Sequence, residues 1–154
     1  MQRKLPITPR WNSHMRPGDY WPIALWDGSF AAGRVVELPA RRGTGARTLF
    51  LAGLMNWHGS TVPSSEDLAG CTTLEQGQMG VAAFKFHDWS IIGNRPLGLD
   101  EISPWLFQRD ATGRWVQKGL AEPRERLPSD PLDLPRFSTW GMSVIKLAAE
   151  DCFL

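Results

Sequence analysis

His14, His58, His87, Cys71 and Cys152 hold most of what this chain could use for covalent or acid–base chemistry. Their spacing argues against such use. No two histidines stand four residues apart on an expected helix and no Cys-x-x-Cys occurs, so no metal site is expected. The Gly-x-Ser-x-Gly elbow of many serine hydrolases is missing. His87-Asp88, inside "HDW", is the best local acid–base pair. Adjacent residues of a strand point to opposite faces, so these two form a dyad only across a turn, and a polar turn between strands explains them better. Cys71 paired with a histidine is an arrangement that nearly any chain with these residues could offer. "GTGAR", residues 43–47, is glycine-rich but lacks the P-loop lysine and opens no clear helix, so a plain turn is expected rather than a phosphate cradle.

Charge narrows the partners. Seventeen Lys/Arg against sixteen Asp/Glu leave a net charge of +1, too little for a general pull toward nucleic acid or membrane. The leading third is mildly basic, with Arg3, Lys4, Arg10, Arg16, Arg41, Arg42 and Arg47 around Trp11. A basic groove with stacking aromatics is how open barrels hold single strands, but no strand here carries a stacking pattern, and solvated loops account for these residues better. Two cysteines make no disulfide framework, and reduced, buried thiols are expected. The first residues contain no apolar core of a secretory signal, and no run of about 20 apolar residues predicts a membrane-spanning helix. Eight tryptophans raise two readings, a Trp-rich core and a Trp-bearing interface. Large aromatics are highly buried on average, so most are expected inside.

These residues need elements to position them. Residues 1–14, with Pro6 and Pro9, read as an irregular arm. From Tyr20 to Leu25 every residue can be buried, one face carrying Tyr20, Pro22, Ala24 and Trp26, the other Trp21, Ile23 and Leu25. Asp27-Gly28 is a strong hairpin signal and suggests a type I′ turn. The return strand runs from Ser29 to Leu38, where Gly33 suggests a bend or close approach. A basic loop, 39–47, leads to a third strand over Thr48–Trp57. A capped helical turn follows near Ser64 or Ser65 and ends at Gly70. "VAAFKF" and "WSIIG" read as two more strands, and Trp105 and Trp115 flank "DATG" in another hairpin. Residues 119–136 hold Pro123, Pro128, Pro131 and Pro135 and read as a surface excursion. A helix capped at Ser138 closes the chain, with Val144, Ile145, Ala148 and Ala149 on one stripe. Consecutive short strands before one helix predict a mainly β, α+β fold. It is expected as an SH3-like, partly open antiparallel barrel or coiled sheet with a C-terminal helix. The expected division is an arm, 1–14, a β-rich domain, 15–118, the excursion, 119–136, and a helix, 137–154, packed on the same domain.

"PGDYWPIALWDGSFAAGRVV", followed by "WSIIGNRP", resembles the immunity protein 26 family of bacterial polymorphic toxin systems. The shared pattern is Gly18-Asp19, Ile23, Leu25, Asp27-Gly28 and Gly33-Arg34-Val35, then Trp89, Ile91, Ile92, Gly93 and Pro96. It covers roughly residues 15 to 107. Trp21 departs from it, standing where a smaller apolar residue is more usual. The resemblance implies a cytoplasmic protein encoded beside a toxin, which binds that toxin and blocks it by occlusion without catalysis, cofactor or small-molecule substrate. The motif residues Gly18, Asp19, Asp27, Gly28, Gly33, Arg34, Trp89, Gly93 and Pro96 then look structural, with Arg34 expected to pair with Asp19 or Asp27. Contacts to the toxin are expected where this framework is decorated, at Arg41, Arg42, Arg47, Trp57, His58, Trp105 and Trp115 and on the excursion. The other reading is a β-barrel nucleic-acid binder or small hydrolase using His58, His87 and the basic 41–47 loop.

Overall fold

In the computed structural model residues 3–40 and 46–154 are described; Arg41 and Arg42 lie outside them. The chain's first hairpin explains much of the rest. Strand β1 (Asp19–Ala24) pairs antiparallel with β2 (Phe30–Glu37), setting Tyr20 opposite Arg34 and Trp21 opposite Gly33. The turn is not type I′. The Leu25 N–H donates to Ser29 O at 2.8 Å and the Gly28 N–H to Leu25 O at 3.0 Å, enclosing Trp26, Asp27 and Gly28. Only Gly28 of the three has positive φ, +87°. This is the three-residue loop that ends in a left-handed glycine, and it needs one such residue where type I′ needs two.

Strand β3 (Leu49–Gly59) adds to β2, and β4 (Thr73–Gly80) adds to β3. The polar run "TLEQGQMG" therefore forms the strand expected of "VAAFKF". Gln76 makes that affordable inside the protein: its side chain donates to Ser103 O and accepts the Trp105 N–H at 2.9 Å. "VAAFKF" itself lies in the helical turn of Val81 and in α1 (Ala82–His87). Val81 and Phe84, three apart, are buried, while Phe86 is exposed, which fits a helical period. Asp88 ends this helix in the left-handed region at φ 57°, a conformation Asp tolerates.

Of "WSIIG", Ile91 bridges to Ile7 and only Gly93 belongs to β5 (Gly93–Asn94), which pairs with β1. Then follow β6 (Leu106–Gln108), β7 (Trp115–Lys118), β8 (Arg124–Glu125), β9 (Thr139–Trp140) and α2 (Val144–Phe153). The helix starts after Ser143, not Ser138, because β9 first pairs parallel with β4.

Six strands form one sheet in the order β5-β1-β2-β3-β4-β9, and β6-β7-β8 form a second. The fold is mainly β with a C-terminal helix, and neither sheet closes into a barrel. The main core gathers Trp21, Phe50, Phe84 and Trp89 with Ile145 and Ala149 of α2. Trp21 and Phe84 have ring centroids 4.8 Å apart, and Phe50 meets Trp21 edge-on at 6.0 Å, geometries that add to the gain from burial. The opposite face of the large sheet packs two smaller clusters, one around Tyr20, Met55 and Leu68 and one joining Val36 and Leu51 to Phe107. Three tryptophans, Trp21, Trp89 and Trp140, are interior. Trp57 and Trp105 pack against its margin, and Trp11, Trp26 and Trp115 are exposed. No helix among the described residues is long and apolar enough to cross a membrane.

Candidate interaction surface

The motif residues converge, but inward. Asp19, the first residue of β1, is fully buried. Its carboxylate accepts from both terminal nitrogens of Arg3, from the Arg16 N–H at 2.8 Å and from Asn94 Nδ2 at 2.9 Å. Beside it the Gly18 N–H reaches Val35 O and the Arg95 N–H reaches Gly18 O. Arm, hairpin and β5 are thus locked together at one carboxylate.

Arg34 pairs with neither Asp19 nor Asp27, the partners expected from sequence. It donates through Nη1 to Asp100 Oδ2 at 2.9 Å and through Nη2 to the carbonyls of Arg95 and Pro96. Asp19 is already filled by Arg3, and Asp27 stands at the far tip of the hairpin, so the loop after β5 supplies the counter-charge. Asp100 also accepts from Arg95 Nε at 2.8 Å and from the Gly70 N–H at 2.8 Å. Both Arg34 and Asp100 side chains are fully buried. The Arg95 guanidinium, then the Gly70 N–H and Arg34, hold Asp100 well below the usual carboxylate range against the opposing cost of burial. A buried pair held by this many hydrogen bonds, with Arg34 Nε alone unpartnered, defines geometry, since each partner's charge is tolerable only in place.

Of the remaining motif positions Gly33, Trp89 and Gly93 pack the interior, while Asp27 and Gly28 stand exposed at the hairpin tip. A Cβ on Gly33 would meet the Trp21 ring at 2.3 Å. The unusual Trp21 and the glycine opposite it are therefore complementary: the ring lies where a side chain at 33 would go. Trp89 joins the main core, Gly93 lies under the Tyr20 ring, and the Pro96 carbonyl serves Arg34.

Outward-facing chemistry is sparse. Asp27, Ser29 and His58 come together at the hairpin tip, a trio no sequence spacing suggested. Ser29 Oγ lies 2.7 Å from His58 Nε2, and the same hydroxyl is bonded to Asp27 Oδ1. In a catalytic triad the histidine stands between acid and serine, oriented by the acid on its other nitrogen. Here the serine stands between, and the His58 ring stacks on Phe153 at 5.2 Å. The arrangement fastens the tip. The Ser29 hydroxyl, with its N–H, holds the Asp27 carboxyl below its ordinary range.

His87 and Asp88 form no dyad: His87 Nε2 lies 3.0 Å from Met142 O, and its ring stacks on Trp89. The cysteines are free, Cys71 half-buried and Cys152 exposed rather than buried. Burial, then the Asp100 charge, push the Cys71 thiol up, away from the thiolate a nucleophile requires. Among the described residues no group of His, Cys, Asp or Glu is placed to hold a metal ion.

The surface residues picked from sequence lie apart. Arg47 stacks its guanidinium 4.3 Å from the Trp11 ring centroid, just before β3 begins. Trp57 and His58 end the same strand, about 30 Å away at the usual rise per residue. Trp105 helps line an open groove of about 730 Å³ with Leu74, Leu106 and Leu134, and Trp115 stands exposed on β7 beside Arg114. Sequence reading missed Trp26. Alternation put it with the buried face of β1, yet it is 75% exposed. The strand pattern stops at Ala24, and a turn residue follows no alternation.

No curated protein and no solved structure gives a significant match to this chain. The family model described as Immunity protein 26 matches residues 16–115, a span that holds the β1–β2 hairpin, the Arg34–Asp100–Arg95 network and β6, and on that match the chain belongs to the Immunity protein 26 family.

Proposed function

We propose that this protein binds a toxin protein in a stoichiometric complex and blocks it by occlusion, without catalysing a reaction. The observation that carries the reading, beside the family, is where the charged side chains Asp19 and Arg34 of the motif and their partner Asp100 point, Asp27 alone of the motif carboxylates standing at the exposed hairpin tip. Asp19, Arg34 and Asp100 are all fully buried and partnered within the fold. A reaction needs convergent acid, base or nucleophile facing a cleft; these groups face one another instead. Occlusion needs only a rigid body with a complementary surface of about 800 Å² per partner, and the interlocked strands supply rigidity. The expected site of action is the cytoplasm of a bacterium that also encodes the toxin.

Co-expression tests the proposal directly. The toxin domain encoded beside this chain's gene is toxic alone, and growth returns when both are made. A purified mixture runs as a one-to-one complex, and the toxin regains activity once the complex is dissociated. Chemical alteration of the toxin by catalytic amounts of this protein would overturn the occlusion reading.

A further inference from the structure

We infer that Trp26, at the tip of the β1–β2 hairpin, anchors the toxin-binding surface together with the outer face of α2, and that its target is an apolar socket bordered by lysine and arginine. The inference rests on the toxin-binding reading above and names the surface and the chemistry of the partner.

Trp26 is the most exposed tryptophan, and it is not loose. Its backbone N–H donates to Glu150 Oε2 of α2 at 2.7 Å. The residues on either side are closed by the Leu25–Ser29 and Leu25–Gly28 backbone bonds, and the Ser29 N–H is capped by Asp27 at 2.9 Å. A bulky aromatic held in water by a fixed backbone loses little further freedom on binding, which is the property of an anchor.

Helix α2 supplies the ground around it. Ile145 and Ala149 face the main core. Val144, Leu147, Asp151 and Leu154, at i, i+3, i+7 and i+10, lie on the other side, and all four are exposed. Leu147 is one helical turn from Glu150, the residue that touches Trp26. The apolar stripe and the tryptophan thus form neighbouring parts of one surface.

The charge around that surface is mainly negative. Asp27 follows Trp26 in the chain, Glu150 touches it and Asp151 is the next residue of α2, against Lys146, the only cation on that helix. This pattern selects the occupant. In a symmetric interface between two copies, the same patch meets itself, so these carboxylates would face their own kind at a cost. Nucleic acid and anionic membrane are repelled for the same reason. A protein face with an apolar socket and basic border satisfies both the aromatic centre and the carboxylate rim.

Calorimetric titration of the full chain with the toxin domain encoded beside it tests this. Trp26→Ala is expected to weaken binding at least about 30-fold, the level of a hot-spot residue. Leu147→Asp weakens it as well, and Asp151→Lys weakens it while flattening its dependence on salt. Arg10→Ala, in the arm beside Trp11 and Thr48 at the far end of β3, leaves affinity within twofold. Unchanged denaturation midpoints show that the variants fold. A wild-type complex that Trp26→Ala and Leu147→Asp bind within twofold overturns this inference alone. Absence of any wild-type complex removes the toxin-binding reading and this one with it. A wild-type dimer that Trp26→Ala makes monomeric assigns the patch to a second copy and overturns the basic-socket target.

Discussion

Trp21 and Gly33 show how one residue's size is set by another's absence. The indole ring fills the space a Cβ at 33 would take, 2.3 Å from its nearest ring atom. Gly33→Ala is therefore expected to cost about 1–3 kcal/mol, the range for overpacking a closed core, read as a lowered denaturation midpoint. Trp21→Leu in the same chain relieves part of that loss, so the two substitutions are non-additive, as contacting residues are. Asp100 makes the second residue-scale case. Removing one member of a fully buried pair typically costs about 3–5 kcal/mol, and Asp100→Asn is expected within that range at neutral pH. The pH dependence has a definite sign. The carboxyl is held well below its ordinary value in the folded protein, so its contribution is complete above the unfolded value of about 4 and fades as pH falls toward the folded value. The stability gap between wild type and Asp100→Asn should narrow steadily below pH 4, measured by urea unfolding across that range. A gap that widens in acid would contradict this assignment.

At the scale of elements, turns and clasps determine how short strands hold their places. Gly28 has φ +87° and no atom within 4 Å of an added Cβ, so Gly28→Ala meets no clash and carries only the backbone penalty of about 1–2 kcal/mol. Gly28→Asn is expected to cost less, since Asn enters the left-handed region more readily; thermal unfolding ranks the two. The excursion of residues 119–136 is more ordered than its prolines suggest. Strand β8 pairs with β7, and Arg124 grips Asp130 with two bonds of 2.8 and 3.0 Å. Arg124 and the Leu127 N–H lower the Asp130 carboxyl to about 2. Asp130→Ala is expected to speed amide exchange over residues 124–131 while leaving the β1–β4 amides protected, because the clasp is local and solvent-exposed.

The whole molecule is organised so that its identifying residues build the frame and other residues make the surface. Arg3, Asp19 and Asn94 join the arm to β1 and β5; Arg34, Arg95 and Asp100 join β2 to the loop beyond β5. The trio at the hairpin tip belongs to this frame. His58→Ala is expected to leave toxin neutralisation intact in a growth assay, since the ring serves Ser29 and Phe153. Chemical alteration of the toxin that His58→Ala abolishes in a variant still binding it would reopen a catalytic role for that residue.

Much of this was legible in the chain itself. Glycine–aspartate corners, the alternation in β1 and the small residues of β2 fixed the first hairpin, because turn chemistry and side-chain period act over a few residues. The family motif was readable for the same reason, and so was the close approach at Gly33. Three things depended on tertiary structure. The helical state of 82–87 was hidden because a short apolar run fits helix and strand equally, and only its packing on Trp21 decides. Arg34's partner lies 66 residues along the chain, beyond any local pattern. The exposure of Trp26 follows from its place in the turn, where α2 reaches only its backbone N–H through Glu150 and covers none of its ring. Local sequence specifies turns and faces; which face is covered is settled only when distant elements compete for the same apolar surface.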